Sequence, residues 1–118
     1  MTIQPRKRPK VLPGHTYKMT TGCGNAYVTI NWNEGSPFEV FFVLGKSGQC
    51  GAAQTEAIAR MVSNALRSGV APEYVVKQLT GIRCPNQIVV GEDGCLSCAD
   101  AMAKALKLDV DTNTPKSK

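Results

Sequence analysis

Residues 26–44, AYVTINWNEGSPFEVFFVL, decide how this chain folds. The run 26–32 alternates in polarity and is rich in β-branched and aromatic residues, the composition of a strand with one buried face. After the turn sequence 33–37, NEGSP, the run 38–44 has a nearly continuous apolar centre and reads as another strand. Upstream, Tyr17, Met19 and Thr21 alternate with Lys18 and Thr20 until Gly22-Cys23-Gly24-Asn25 interrupts them, so 16–21 and 26–32 form a hairpin with Cys23 at its turn. The three runs make an antiparallel meander, and one face of it has to be covered.

The cover is helical. Residues 52–69 place Thr55, Ile58, Val62, Ala65 and Leu66 on one stripe, flanked by Ala59 and Met61, and Gly69 stops the segment. Pro72 suits the first turn of a shorter helix over 72–80, with Tyr74, Val75, Val76 and Leu79 as its apolar side and Gly81 as its stop. A third helix is predicted from Cys98 to about Leu108, with Ala101, Met102, Ala105 and Leu106 inward. The expected fold class is therefore α+β: a small three-stranded antiparallel sheet packed on two to three helices. Residues 13–108 form the domain, 1–12 a disordered basic arm and 109–118 a disordered tail.

A chain of 118 residues supports one domain with a core. Apolar residues make up 42% and charged residues 19%, which excludes a disordered or membrane-spanning class; the longest apolar run, 40–44, is far short of the roughly 18 residues a spanning helix needs. The charged N-terminus is not followed by an apolar core, so no secretory signal and a cytoplasmic location are expected. Of the net +5, Arg6, Lys7, Arg8 and Lys10 supply four, and the remaining ten basic and nine acidic residues leave the body at +1. Such an arm offers weak, salt-sensitive binding to nucleic acid, with a solvated tail as the plainer alternative.

The 45–49 turn ends a strand and feeds a helix, which makes it a generic anion site through free backbone N–H groups, with Lys46, Ser47 and Gln49 along it. It is not a standard phosphate loop, because the position of the first required glycine is Val40. His15 is the one histidine, so two-histidine chemistry is excluded, and nothing in the sequence supplies it with a nucleophile. Catalysis by this chain alone is weakly supported.

Five cysteines in a reducing compartment suggest ligation or burial rather than disulfides, and the odd count suggests four plus one. Cys95 and Cys98 form a CxxC. Their settings differ, however. Cys23 and Cys84 sit in turns, while Cys50 and Cys98 open predicted helices where the dipole favours a thiolate. Two turns and two helix starts are plausible donors for one tetrahedral thiolate site, and buried unligated cysteines are the alternative.

The order TYKMTTGCGNAYVTIN, PFEVFFVLGKSGQC, TEAIARMVSNALRSGV, GIRCP, SCADAMAKAL resembles the TSCPD domain, which occurs near the C-terminus of adenosylcobalamin-dependent ribonucleotide reductases and in short stand-alone proteins. The naming motif is matched in part by Leu96-Ser97-Cys98-Ala99-Asp100, with Leu for Thr and Ala for Pro. The resemblance implies a metal-binding set of Cys23, Cys50, Cys84 and Cys98, with structural zinc and with Cys95 outside it. It also implies a link to nucleotide metabolism. Since 118 residues cannot hold a reductase barrel, the expectation is a noncatalytic module that binds a nucleotide or a reductase subunit through the 45–49 turn with Gln54, Thr55, Glu56 and Arg83. A second reading is a protein, viral in one version, that sequesters a nucleotide or cyclic-nucleotide signal, with a homo-oligomer building the pocket.

Overall fold

The computed structural model describes residues 2–22, 24–45, 50–83, 95 and 97–113. Strands β1 (Gly14–Thr21), β2 (Gly24–Asn33) and β3 (Ser36–Leu44) form the expected antiparallel meander in the order β1-β2-β3. Helices α1 (Cys50–Arg67), α2 (Pro72–Leu79) and α3 (Cys98–Asn113) cover it. The β2–β3 turn fits the twist of the paired strands because Glu34 and Gly35 both take positive φ, 53° and 81°. Among the described residues, no helix is long and apolar enough to cross a membrane.

Alternation along the strands puts Ala26, Val28, Ile30, Val40 and Phe42 on the inner face, where they join Ala59, Val62 and Leu66 of α1, Val75 of α2, and Ala101, Met102, Ala105 and Leu106 of α3 in one core. In the first half of α3 the buried set Ala99, Asp100, Ala101, Met102 and Ala103 runs around nearly the whole helix. Small side chains let neighbouring elements approach it closely, so α3 is the central helix rather than a surface one. Two expected core contributors face solvent instead: Met61 on α1 and Tyr74 on α2 are exposed. Each lies one position away from the buried stripe of its helix, where 100° of rotation per residue already points outward.

Helix α1 closes the free edge of the sheet. Ser63 accepts a hydrogen bond from the backbone N–H of Val40 at 2.9 Å and its hydroxyl donates to the Val40 carbonyl at 3.1 Å. One hydroxyl thus satisfies both edge groups of that residue, which would otherwise template pairing with another strand. The helix ends where Gly69, at φ 99°, allows its N–H to reach the Leu66 carbonyl and that of Val70 to reach Ala65.

The described structure extends beyond residues 13–108 at both ends. Helix α3 does not stop at Leu108 but continues to Asn113, because Asp109 is fully buried and held by partners from the sheet. At the other end, the arm is docked against the body. The Arg6 backbone N–H and Nε both donate to the Arg67 carbonyl, at 3.1 and 2.9 Å, and its terminal nitrogen reaches the Leu66 carbonyl. These bonds satisfy C-terminal carbonyls of α1 and place positive charge at the negative end of its dipole.

Arg8 meets Glu39, the one charged residue inside the FEVFFVL strand. Glu39 is fully buried and accepts from Arg8 Nε (2.9 Å), from Arg67 (2.6 Å) and from Asn31 Nδ2 (2.6 Å). Burial alone would raise its pKa, but the hydrogen bonds from Arg8, Asn31 and Arg67 outweigh it and hold the carboxylate below its ordinary value of 4.5. A depressed carboxylate contributes stability that is complete above its unfolded value and is lost as pH falls through the lower folded value. Urea midpoints are therefore expected to decline below about pH 4.5. Glu39→Gln is expected to lower neutral-pH stability by about 2 kcal/mol, modest because both guanidiniums keep some solvent contact, and to flatten that acid decline. An unchanged acid profile in the variant would refute the assignment.

Candidate functional site

Two of the four candidate metal ligands open helices, as their spacing requires: α1 begins at Cys50 and α3 at Cys98. Ser97 caps α3, its Oγ accepting the Asp100 N–H at 3.0 Å, which fixes Cys98 at the first helical position. Cys98 is half-buried against the core, and Cys95 is fully buried within it. Neither is in a disulfide. Cys23 and Cys84, and with them Lys46, Ser47 and Gln49, lie outside the described residues. Among the described residues no group of three or more His, Cys, Asp or Glu forms a metal cluster.

The backbone around these positions is tied together. The Gly45 N–H donates to the Asn25 carbonyl at 2.7 Å, which fastens the approach to α1 onto the β1–β2 hairpin. Thr21 pairs with Gly24 across that hairpin, and the Thr21 hydroxyl donates to the Gly24 carbonyl at 2.8 Å. On α3 the buried Asp100 accepts from the Gly81 N–H at 3.0 Å, holding the exit of α2 against the first turn of α3, and Lys104 lies 3.1 Å from the same carboxylate. The Ser97-Cys98-Ala99-Asp100 motif is thus a helix cap and a clamp around a cysteine.

The expected ligand residues on α1 are not brought to one place. Thr55 is buried in the core, Glu56 is exposed and pairs with Arg60 at 3.0 Å, and Gln54 lies on the groove between α1 and α2 with Ile58 and Met61. Three successive helical residues point in three directions. Arg83 is exposed after α2. In the arm, Arg6 and Arg8 are engaged by α1 and Glu39, while Lys7 and Lys10 are exposed.

A cluster that sequence reasoning missed gathers at the far end of the sheet. The buried Asp109 accepts from the Tyr17 hydroxyl at 2.6 Å, from the Trp32 indole N–H and from Asn113 Nδ2 at 2.8 Å, and His15 Nδ1 lies 3.2 Å away. His15 is therefore not isolated, although its side chain is half exposed. The signal for Asp109 was available as helical spacing: Met102, Leu106, Asp109, Val110 and Asn113 continue one face of α3 past Leu108. Burial first, then the bond to Asp109, pushes the Tyr17 phenol up from 10.0 to about 12.

The family model described as the TSCPD domain matches residues 2–110, nearly the whole chain. No curated protein and no solved structure matches it.

Removing the Asp109 carboxylate leaves a phenol and an indole N–H without their acceptor. Asp109→Ala is expected to lower stability by about 3 kcal/mol in urea denaturation, against about 1 kcal/mol for Tyr17→Phe. Of the three tyrosines, one is expected to ionise late, near 12, in an alkaline absorbance titration. Because the folded value is the raised one, the Tyr17 contribution is intact below 10.0 and lost as pH climbs towards 12. Loss of the late-titrating tyrosine in Tyr17→Phe identifies it; its persistence would contradict the assignment.

Proposed function

The chain belongs to the TSCPD domain family, a ribonucleotide-reductase-related domain, and from that premise we propose that it is a zinc-ordered binding module without catalysis of its own, serving nucleotide or reductase recognition. Cys23, Cys50, Cys84 and Cys98 hold the metal in this reading. The observation that carries it is the fastening of their chain neighbours: Gly45 to Asn25, Thr21 to Gly24, and Gly81 to Asp100.

Helix direction adds support. Asp109 meets Tyr17 and Trp32 at the end of the sheet opposite the β1–β2 turn. Cys98 lies eleven residues back along α3, about 16 Å at the helical rise. From Tyr17 to Thr21 a strand covers about 13 Å. Met102 and Ala105 of α3 lie in one core with Ala26 and Val28, the buried β2 residues nearest the β1–β2 turn. This reading requires the first turn of α3 to lie at the β1–β2 end of the fold.

The donor chemistry fits the metal. Thiolates at helix starts are favoured by the dipole, and four sulfur ligands leave no coordination position for water, so the zinc would be structural. Residues 45–49, with Lys46, Ser47 and Gln49, immediately precede α1 in sequence and are the recognition element of this reading.

Purified protein is expected to carry one zinc per chain by elemental analysis. Cys98→Ser and Cys84→Ser are expected to bring it close to zero and to lower Tm by about 10 °C or more, whereas Cys95→Ser keeps the metal. A serine at the first position of α3 leaves the helix itself intact, so lost stability in Cys98→Ser tracks lost metal. Full zinc occupancy in both Cys98→Ser and Cys84→Ser would overturn the site.

A further inference from the structure

A cleft of about 770 Å³ opens between the N-terminal arm, the outer side of β3 and α1. Its volume is that of a small-molecule site, for which roughly 300–1,000 Å³ is usual. Arg6, Lys7, Arg8, Arg60 and Arg67 stand around it against two carboxylates, Glu56 on its wall and Glu39 behind it, a net of +3. More than half of the chain's net +5 is thus concentrated at one concavity. The floor is apolar: Phe41 and Val43 line it although they are 49% and 61% exposed.

Two features set this cleft apart from a merely basic surface. First, three of its five cations, Arg6, Arg8 and Arg67, are held in place. Arg8 and Arg67 are fixed on Glu39, and Arg6 and Arg67 both lie over the Phe38 ring at 5.2 Å, so little side-chain freedom remains to be lost on binding. Second, the Nε of Arg67, buried in the wall, has no hydrogen-bond partner among the described residues. A buried donor in that state is costly unless something else satisfies it.

We propose that this cleft binds a nucleotide, with its phosphates on Arg60, Lys7 and the guanidinium wall and its base against Phe41. The reading rests on the nucleotide class of the proposed function and assigns the ligand to this cleft instead of residues 45–49. A cationic rim over one exposed ring selects a phosphate joined to a flat group. Among the described residues Phe41 is the one exposed aromatic lining the cleft, Phe42 being buried, so there is a platform for a single base and not the succession of rings that tracks a strand of nucleic acid. Glu56, paired with Arg60, supplies an acceptor for sugar hydroxyls.

Calorimetric titration of the full chain at low salt, with ATP, tripolyphosphate and adenosine as probes, tests the site. Saturable ATP binding is expected, with Arg60→Ala and Phe41→Ala each weakening it about tenfold and Lys77→Ala leaving it unchanged. Arg60 and Phe41 are exposed, so both variants are expected to keep the wild-type circular dichroism and Tm. Tripolyphosphate is expected to bind more weakly than ATP and to be indifferent to Phe41→Ala. Absence of saturable ATP binding, wild-type affinity in both cleft variants, or preference for a single-stranded oligonucleotide over ATP would each overturn the proposal. Loss of ATP binding in Lys46→Ala with the cleft variants unaffected would also overturn it, while leaving the nucleotide reading at residues 45–49 in place.

Discussion

The Glu39 carboxylate is the constraint on which the upper half of the structure depends. A charge in a fully buried position is tolerated only when its lone pairs are filled, and here the donors come from three parts of the chain: Arg8 in the arm, Asn31 on β2 and Arg67 at the end of α1. Filling them fixes where the arm crosses, how α1 lies along β3 and which way the helix end faces. The stacking of Arg6 and Arg67 on Phe38 follows from the same arrangement. An apolar residue in place of Glu39 would satisfy the strand pattern but would leave the arm and α1 without a common anchor.

Two further buried acids repeat the device elsewhere. Asp100 joins the exit of α2 to the first turn of α3, and Asp109 joins the last turns of α3 to β1 and β2. The apolar core supplies most of the favourable burial, but it is non-directional, and alanine-rich α3 could slide or rotate against it with little penalty. The carboxylates remove that freedom. Each accepts donors whose geometry is satisfied in one arrangement only, so the central helix is fixed near both ends. One of those ends carries Cys98.

The same contrast explains what was legible in the sequence. Strand order, helix number and most inward-facing residues could be read because alternation and helical spacing are local signals, set within a few residues. The anchors were not local, since their partners lie far apart in sequence: Glu39 is 31 residues from Arg8 and 28 from Arg67, and Asp109 is 92 from Tyr17 and 77 from Trp32. An acid read alone looks solvated, which is why the sequence offered no reason to carry α3 through 109–113 or to dock the arm. The expected ligand residues on α1 part for the opposite reason: Gln54, Thr55 and Glu56 are contiguous in sequence, and contiguity on a helix separates side chains rather than gathering them.

Docking of the arm also changes what its charge means. A flexible arm of four cations would be a detachable nucleic-acid tail whose removal leaves the body intact. As built, Arg8 neutralises a buried carboxylate and Arg6 caps the carbonyls at the end of α1. Truncating residues 1–10 would strip Glu39 of one of its two guanidiniums and expose Phe38, so lost binding after truncation would not by itself report a lost contact with ligand. Exposed members of the same positive surface, Lys7 and Arg60, can be changed without that damage. The charge that looked like an appendage is the wall of a cleft, and its structural and binding contributions are separable only residue by residue.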